Sequence, residues 1–203
     1  MILSHLALGF ITSYIGYTPP SMLNITASKI CIENNRKIAY QFALGASVIV
    51  LIQVLLAVLL SSFLKEYPEI IIWVKKIAIF VFAIISATFI YKGLSKSKQK
   101  ENKPIRNGFF FGLSLSSVNM FAIPFFAVAH SSFVMHGWAM SGLVCTSVFG
   151  LGTVLGTFAI LSSYLFLAQK FENKLIEYSK YFTILIGVIT GFIAIYSAIK
   201  LYF

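Results

Sequence analysis

The chain of 203 residues is 59% hydrophobic and 11% charged, with a mean hydropathy of +0.89. Soluble domains carry about 25% charged residues, so a soluble enzyme or binding domain is excluded and a membrane protein is indicated. The formal net charge of +10 fits basic residues placed beside membrane spans, where they orient the chain and meet anionic lipid, rather than a nucleic-acid surface.

Taken in order, apolar stretches of about 20 residues or more predict six spans. They run from about Ile2 to Lys29, Ile38 to Leu64, Ile70 to Leu94, Asn107 to Ser131, Trp138 to Leu167, and Leu175 to Leu201. Met1 enters the first span without a basic n-region, and the apolar run exceeds signal-peptide length, so this segment is expected to remain as a helix. Cys31 and Cys145 lie far apart and form no Cys-x-x-Cys pair, which speaks against a thiol relay.

The first span is interrupted by Thr18-Pro19-Pro20-Ser21-Met22-Leu23-Asn24. Two successive prolines remove donors from the helical ladder and clash with the preceding turn. Inside a membrane such a break persists only where protein or a water-filled cavity supplies partners. Thr18 is expected to cap a second half-helix with Pro19 at its first position. The free amides of that half-helix would suit a carboxylate.

Charge places the connections. Twelve of the 16 Lys and Arg residues fall after spans one, three and five, including the run from Lys96 to Arg106 and the stretch from Lys170 to Lys180. Both termini are therefore expected outside and the Lys96 to Arg106 connection in the cytoplasm.

The halves echo one another. Gly9-Phe10 matches Gly108-Phe109, Leu60 to Leu64 matches Leu161 to Leu165, and Phe89-Ile90-Tyr91 matches Ala194-Ile195-Tyr196. Three spans per half make the two copies inverted, an arrangement that places transporter sites at the midplane. The fourth span carries its own polar cluster, Ser114 to Asn119, with Pro124 just beyond. Asn24 and Asn119 together read as a substrate site, whereas Gln53 reads as interhelical glue. The pairs Gly108 and Gly112, Gly152 and Gly156, and Gly187 and Gly191 read as close helix packing.

All six acidic residues (Glu33, Glu66, Glu69, Glu101, Glu172 and Glu177) lie in or beside connections, and no aspartate is present. A membrane-embedded carboxylate of the kind used by many pumps and metal carriers is thus lacking. A metal site built from His5, His130 and His136 is a minor alternative. No nucleophile, base and orienting group assemble at a recognisable spacing, so no catalytic residues and no cofactor are expected.

These residues resemble a known family. Ser13 to Pro20 with Asn24, Phe42 to Ser47, Gly108-Phe109 with Gly112 to Ser114, Asn119, and Ile123 to Phe126 are similar to the lysine exporter (LysE) type translocators, the LysE/RhtB amino-acid efflux proteins. The resemblance covers nearly the whole chain. Ser21-Met22 stands where that family usually has Gly-Pro, and Asn119-Met120 where it usually has Asn-Pro. The resemblance implies a proton-driven exporter of amino acids or similar small metabolites in the bacterial inner membrane.

The expected fold is all-α, with six transmembrane helices in two inverted three-helix repeats and helices one and four interrupted near mid-membrane. A single membrane domain (1–203) would comprise the first repeat (1–95), the basic cytoplasmic connection (96–106) and the second repeat (107–203). Asn24, Asn119, Thr18 and Ser21 are the expected substrate contacts, and Pro19, Pro20 and Pro124 the expected helix breakers. Expected partners are a small-molecule substrate and membrane lipids, without nucleic acid or metal, and with self-association left open. A non-transporting scaffold or accessory subunit of the same fold is the alternative from another class. Asn24→Ala is expected to reduce transport while folding stays near normal.

Overall fold

Where the helices stop follows the prolines and glycines more closely than it follows charge. The computed structural model describes residues 2–67, 69–94, 105–119, 121–140 and 142–202, and among these every regular element is an α-helix. The first span is split into α1 (Ile2–Gly16) and α2 (Met22–Glu33). Helix α3 (Arg36–Glu66) and helix α4 (Ile70–Leu94) follow. The fourth span is also split, into α5 (Gly108–Ser117) and α6 (Ala122–Met135), which meet at a 71° bend. Asn107 caps α5, its side chain accepting from the Phe110 amide at 3.3 Å. Helix α7 (Leu143–Tyr202) is 60 residues long.

Two of these expectations change at α7. It begins at Leu143 rather than Trp138, because Gly137 (φ 71°) and Gly142 (φ 146°) adopt conformations that end one helix and precede the next. It also continues through Lys170 to Lys180, where a connection was expected. That stretch is polar but holds no Gly or Pro from Thr157 to Ile186. Charge without a breaker leaves the helix intact. The basic connection from Lys96 to Arg106 lies outside the described residues except for Ile105 and Arg106, as does Met120.

Among the described residues two stretches, Arg36–Phe63 and Leu143–Ala168, are long and apolar enough to cross a membrane, and the bent α5–α6 pair makes a third if it is one span. Large apolar side chains such as Leu59, Phe80, Phe166 and Phe192 stand exposed along the helices. This reverses the usual distribution of a soluble surface and suits lipid.

The helices fall into two compact units, Met1–Ser62 with Lys103–Leu175, and Phe63–Asn102 with Ile176–Phe203. Each draws on both halves of the chain. In the larger unit Phe42, Phe126, Phe149, Leu161 and Leu165 are buried together.

Two helix crossings in that unit are built alike. On α1, Gly9 lies against the Phe149 carbonyl and near the Thr153 amide of α7, while Gly152 lies against the Leu6 carbonyl and near the Phe10 amide. On α5, Gly112 lies against the Phe42 carbonyl and near the Ala46 amide of α3, while Gly45 lies against the Phe109 carbonyl and near the Leu113 amide. The Ser13 hydroxyl donates to the Thr153 carbonyl at 2.7 Å, and the Ser116 hydroxyl to the Ala46 carbonyl at 3.0 Å. One residue shift carries Leu6, Gly9, Phe10 and Ser13 onto Phe109, Gly112, Leu113 and Ser116. A second carries Phe149, Gly152 and Thr153 onto Phe42, Gly45 and Ala46. The geometric counterpart of Gly9 is therefore Gly112, one helical turn beyond the Gly108 suggested by the Gly-Phe match. A dipeptide echo in phenylalanine-rich sequence carries too little information to fix register, whereas backbone contact does.

In the smaller unit α4 and the last part of α7 run antiparallel. Gly93 meets Ile184, Gly187 meets Ile90, and Gly191 meets Ser86. The Ser86 hydroxyl donates to the Gly187 carbonyl at 2.7 Å. The three small-residue pairs thus serve packing, as expected.

A leucine at Gly112 would have to displace the α3 backbone. Gly112→Leu is predicted to lower stability by about 1–3 kcal/mol or to abolish folding. Gly150→Ala meets only the movable tip of Leu51 and should be tolerated. Unfolding of the purified protein in detergent checks both.

Candidate functional site

The Pro19-Pro20 break frees carbonyls that continuing helix would have used. The chain satisfies three successive ones with side chains. The Asn24 amide nitrogen donates to the Tyr17 carbonyl at 2.7 Å and to the Pro19 carbonyl at 3.0 Å. The Tyr164 hydroxyl of α7, which lies beside the Asn24 side chain, donates to the intervening Thr18 carbonyl at 2.7 Å. Asn24 is fully buried. Its first duty is to hold the break closed, so the expectation of near-normal folding in Asn24→Ala is revised.

Thr18 is not the cap it was expected to be. Its hydroxyl donates back to the Tyr14 carbonyl at 2.7 Å and its amide to the Ile15 carbonyl at 3.1 Å, so it closes α1. The reason lies in the double proline: neither Pro19 nor Pro20 enters the helix, and α2 starts only at Met22. Ser21 takes the N-cap position in extended conformation (φ −110°, ψ 173°) without a side-chain capping bond. Its φ is one any residue adopts, so serine serves there without backbone strain. Met22, Leu23 and Asn24 have no intrahelical acceptor for their amides. Beside them the Ser21 Oγ and Asn24 Oδ1 atoms are buried without a hydrogen-bond partner among the described residues.

The second break is held from another helix. Gln53 of α3 donates through Nε2 to the Ser116 carbonyl at 3.0 Å and to the Asn119 carbonyl at 3.3 Å. Its Oε1 atom is likewise buried and without a partner among the described residues. The Asn119 amide donates to the Ser116 carbonyl at 3.0 Å, and the Ala122 amide to the Asn119 carbonyl at 3.3 Å. Pro124 is the third residue of α6, within the first turn, where a missing donor is harmless. It follows the break rather than making it.

The two breaks are joined. The Asn119 side-chain nitrogen donates to the Tyr17 hydroxyl at 3.3 Å, and Tyr17 is 7% exposed. Asn24, Tyr17, Asn119 and Gln53 are consequently connected through consecutive hydrogen bonds and peptide units. Of the sequence-derived residues, Asn24 and Asn119 enter this assembly, Ser21 stands at its edge, and Thr18 contributes its backbone carbonyl. Tyr17 and Tyr164 were not singled out, and Gln53 was read only as interhelical glue. Their signal was weak: tyrosines in an aromatic-rich chain, and a lone buried glutamine.

The histidines do not gather. His136 Nδ1 lies 2.8 Å from the Ser132 carbonyl, His5 Nε2 accepts from the Met140 amide at 2.9 Å, and the His130 ring packs edge-on to Phe149. Among the described residues no group of three or more His, Cys, Asp or Glu is placed to hold a metal ion.

The chain matches the LysE type translocator family over residues 14–201, a stretch that contains both breaks and all four linked residues. It belongs to that family. Members of the LysE family are membrane transporters rather than enzymes, and a small-molecule cargo in a lipid setting follows for this translocator. No curated protein and no solved structure matches the chain.

Losing the Asn24 carboxamide strips donors from the buried Tyr17 carbonyl and the half-buried Pro19 carbonyl at once. Asn24→Ala in this translocator is predicted to lower stability by about 1–3 kcal/mol, and Asn24→Asp, which keeps the shape but offers no donor, by a similar amount. Denaturant unfolding in detergent measures both; an unaltered midpoint in Asn24→Asp would show that the break does not rely on these bonds.

Proposed function

We propose that the translocator exports amino acids or similar small metabolites across the bacterial inner membrane, driven by the proton gradient. The observation that carries this reading is the Asn119 to Tyr17 bond, which makes two interrupted helices into one polar assembly inside an apolar unit. Non-helical backbone at membrane depth otherwise has no purpose in a bundle.

The chemistry on offer suits a zwitterion. The first amides of α2 and the positive end of its dipole favour a carboxylate. Ser21 Oγ and Asn24 Oδ1, both without partners among the described residues, offer acceptors for an amino group. Asn119 contributes from the second break, and Thr18 through the backbone that Tyr164 steadies. Lysine as cargo finds no support, since all six acidic residues lie in or beside the predicted connections.

Six crossings in two inverted repeats remain the proposed architecture. The twin glycine crossings and the matching Ser13 and Ser116 bonds support it. The bias of Lys and Arg supports both termini facing the periplasm. A reporter fused at Lys174 should then read cytoplasmic, whereas a periplasmic reading there would contradict this topology.

Activity is tested by reconstitution into liposomes with a panel of radiolabelled L-amino acids under an imposed pH gradient. At least one should move at a rate well above empty vesicles and stop when the gradient collapses. Movement of none would favour a scaffold of the same fold.

A further inference from the structure

Gln53 stands apart from the four residues that the sequence pointed to. It lies on α3, outside both breaks, and is 5% exposed. Both donor contacts of Nε2 run to carbonyls of the second break, Ser116 and Asn119. Two carbonyl oxygens face that nitrogen, so turning the carboxamide over would set oxygen against oxygen. The unpartnered atom is therefore an acceptor. Asn24 repeats the pattern independently: its nitrogen faces the Tyr17 and Pro19 carbonyls, and Oδ1 is the buried atom without a partner among the described residues.

Each break thus takes the donor end of one carboxamide, while the acceptor end of the same group is buried without a hydrogen-bond partner among the described residues. Only a donor or a cation can complete such an oxygen. A carboxylate there would be repelled. Among the described residues the partners of both carboxamide nitrogens are backbone carbonyls, so the site supplies neutral oxygen, the chemistry that receives an ammonium group or a weakly hydrated monovalent cation without trapping it.

We infer that Gln53 is a ligand-binding residue whose Oε1 receives the N–H of a protonated amine, with Asn24 Oδ1 as the corresponding acceptor at the first break. The inference rests on the transport reading of these two breaks and deepens it by assigning the amine end of the cargo. The same oxygen chemistry would also take a free sodium ion.

The test uses the purified full chain in detergent and reads its unfolding temperature against methylammonium chloride, tetramethylammonium chloride and sodium chloride at constant ionic strength. Methylammonium, which carries N–H donors, should raise it saturably by about 2–4 °C at several times its dissociation constant. Tetramethylammonium, which carries none, should not. Gln53→Leu and Gln53→Met, two apolar variants in case one fails to fold, should lose the saturable shift. Sodium alone giving the shift would assign the oxygen to a metal ion and overturn the amine. Equal shifts from both ammonium ions, an unchanged methylammonium shift in the apolar variants, or no saturable shift, the result if water alone serves these oxygens, would overturn the proposal too. Absence of amino-acid movement in liposomes with the methylammonium shift intact would sink the export reading and leave this one standing.

Discussion

An interrupted helix leaves backbone carbonyls without helical donors, and the larger unit of this protein supplies donors to them from side chains. An unpaired buried polar group costs about 1–3 kcal/mol, and the first break exposes three carbonyls in a row. Asn24 and Tyr164 take all three. At the second break Gln53 adds a donor to two carbonyls that backbone amides already reach. Were these donors absent, the chain would regain those bonds most easily by straightening into continuous helix as far as Pro19 and Pro20 permit, and the polar assembly would be lost.

Satisfying the backbone with carboxamides has a chemical consequence. A hydroxyl that donates still keeps its lone pairs near the same acceptor, but a carboxamide separates its two functions by the width of the group. The nitrogen can be buried in the fold while the oxygen is left for another molecule. Stability and recognition then share residues, so a substitution at Asn24 or Gln53 alters both. The glycine crossings serve the same end: by letting α1 approach α7 and α5 approach α3 at backbone distance, they bring the two breaks within reach of one another. The Tyr17 hydroxyl and the Asn119 side chain then meet at 3.3 Å.

Much of this was legible in the sequence. The first interruption follows from proline chemistry, the second from the polar cluster of the fourth span, and the limits of α4 at Ile70 and Leu94 and the packing glycines from hydropathy and small-residue spacing. Three things were not. The cap of α2 moved from Thr18 to Ser21 because two prolines keep the chain extended for longer than one would. The continuity of α7 through Lys170 to Lys180 was masked by charge, which marks solvent or headgroup exposure but does not by itself end a helix. Tyr17 and Tyr164 matter through the carbonyls and side chains they meet across the fold, and no local pattern in an aromatic-rich membrane sequence separates such tyrosines from those that only face lipid. Gln53 was assigned correctly as interhelical glue, but the open end of the same carboxamide appears only once its partners are known.

The central claim is that the two breaks act as one site. A double-mutant cycle of Tyr17→Phe and Asn119→Ala on the initial rate of amino-acid movement in liposomes measures it most directly. The account predicts strong non-additivity, with the double variant no slower than the slower single variant. Losses that simply multiply would show two independent polar kinks and contradict it.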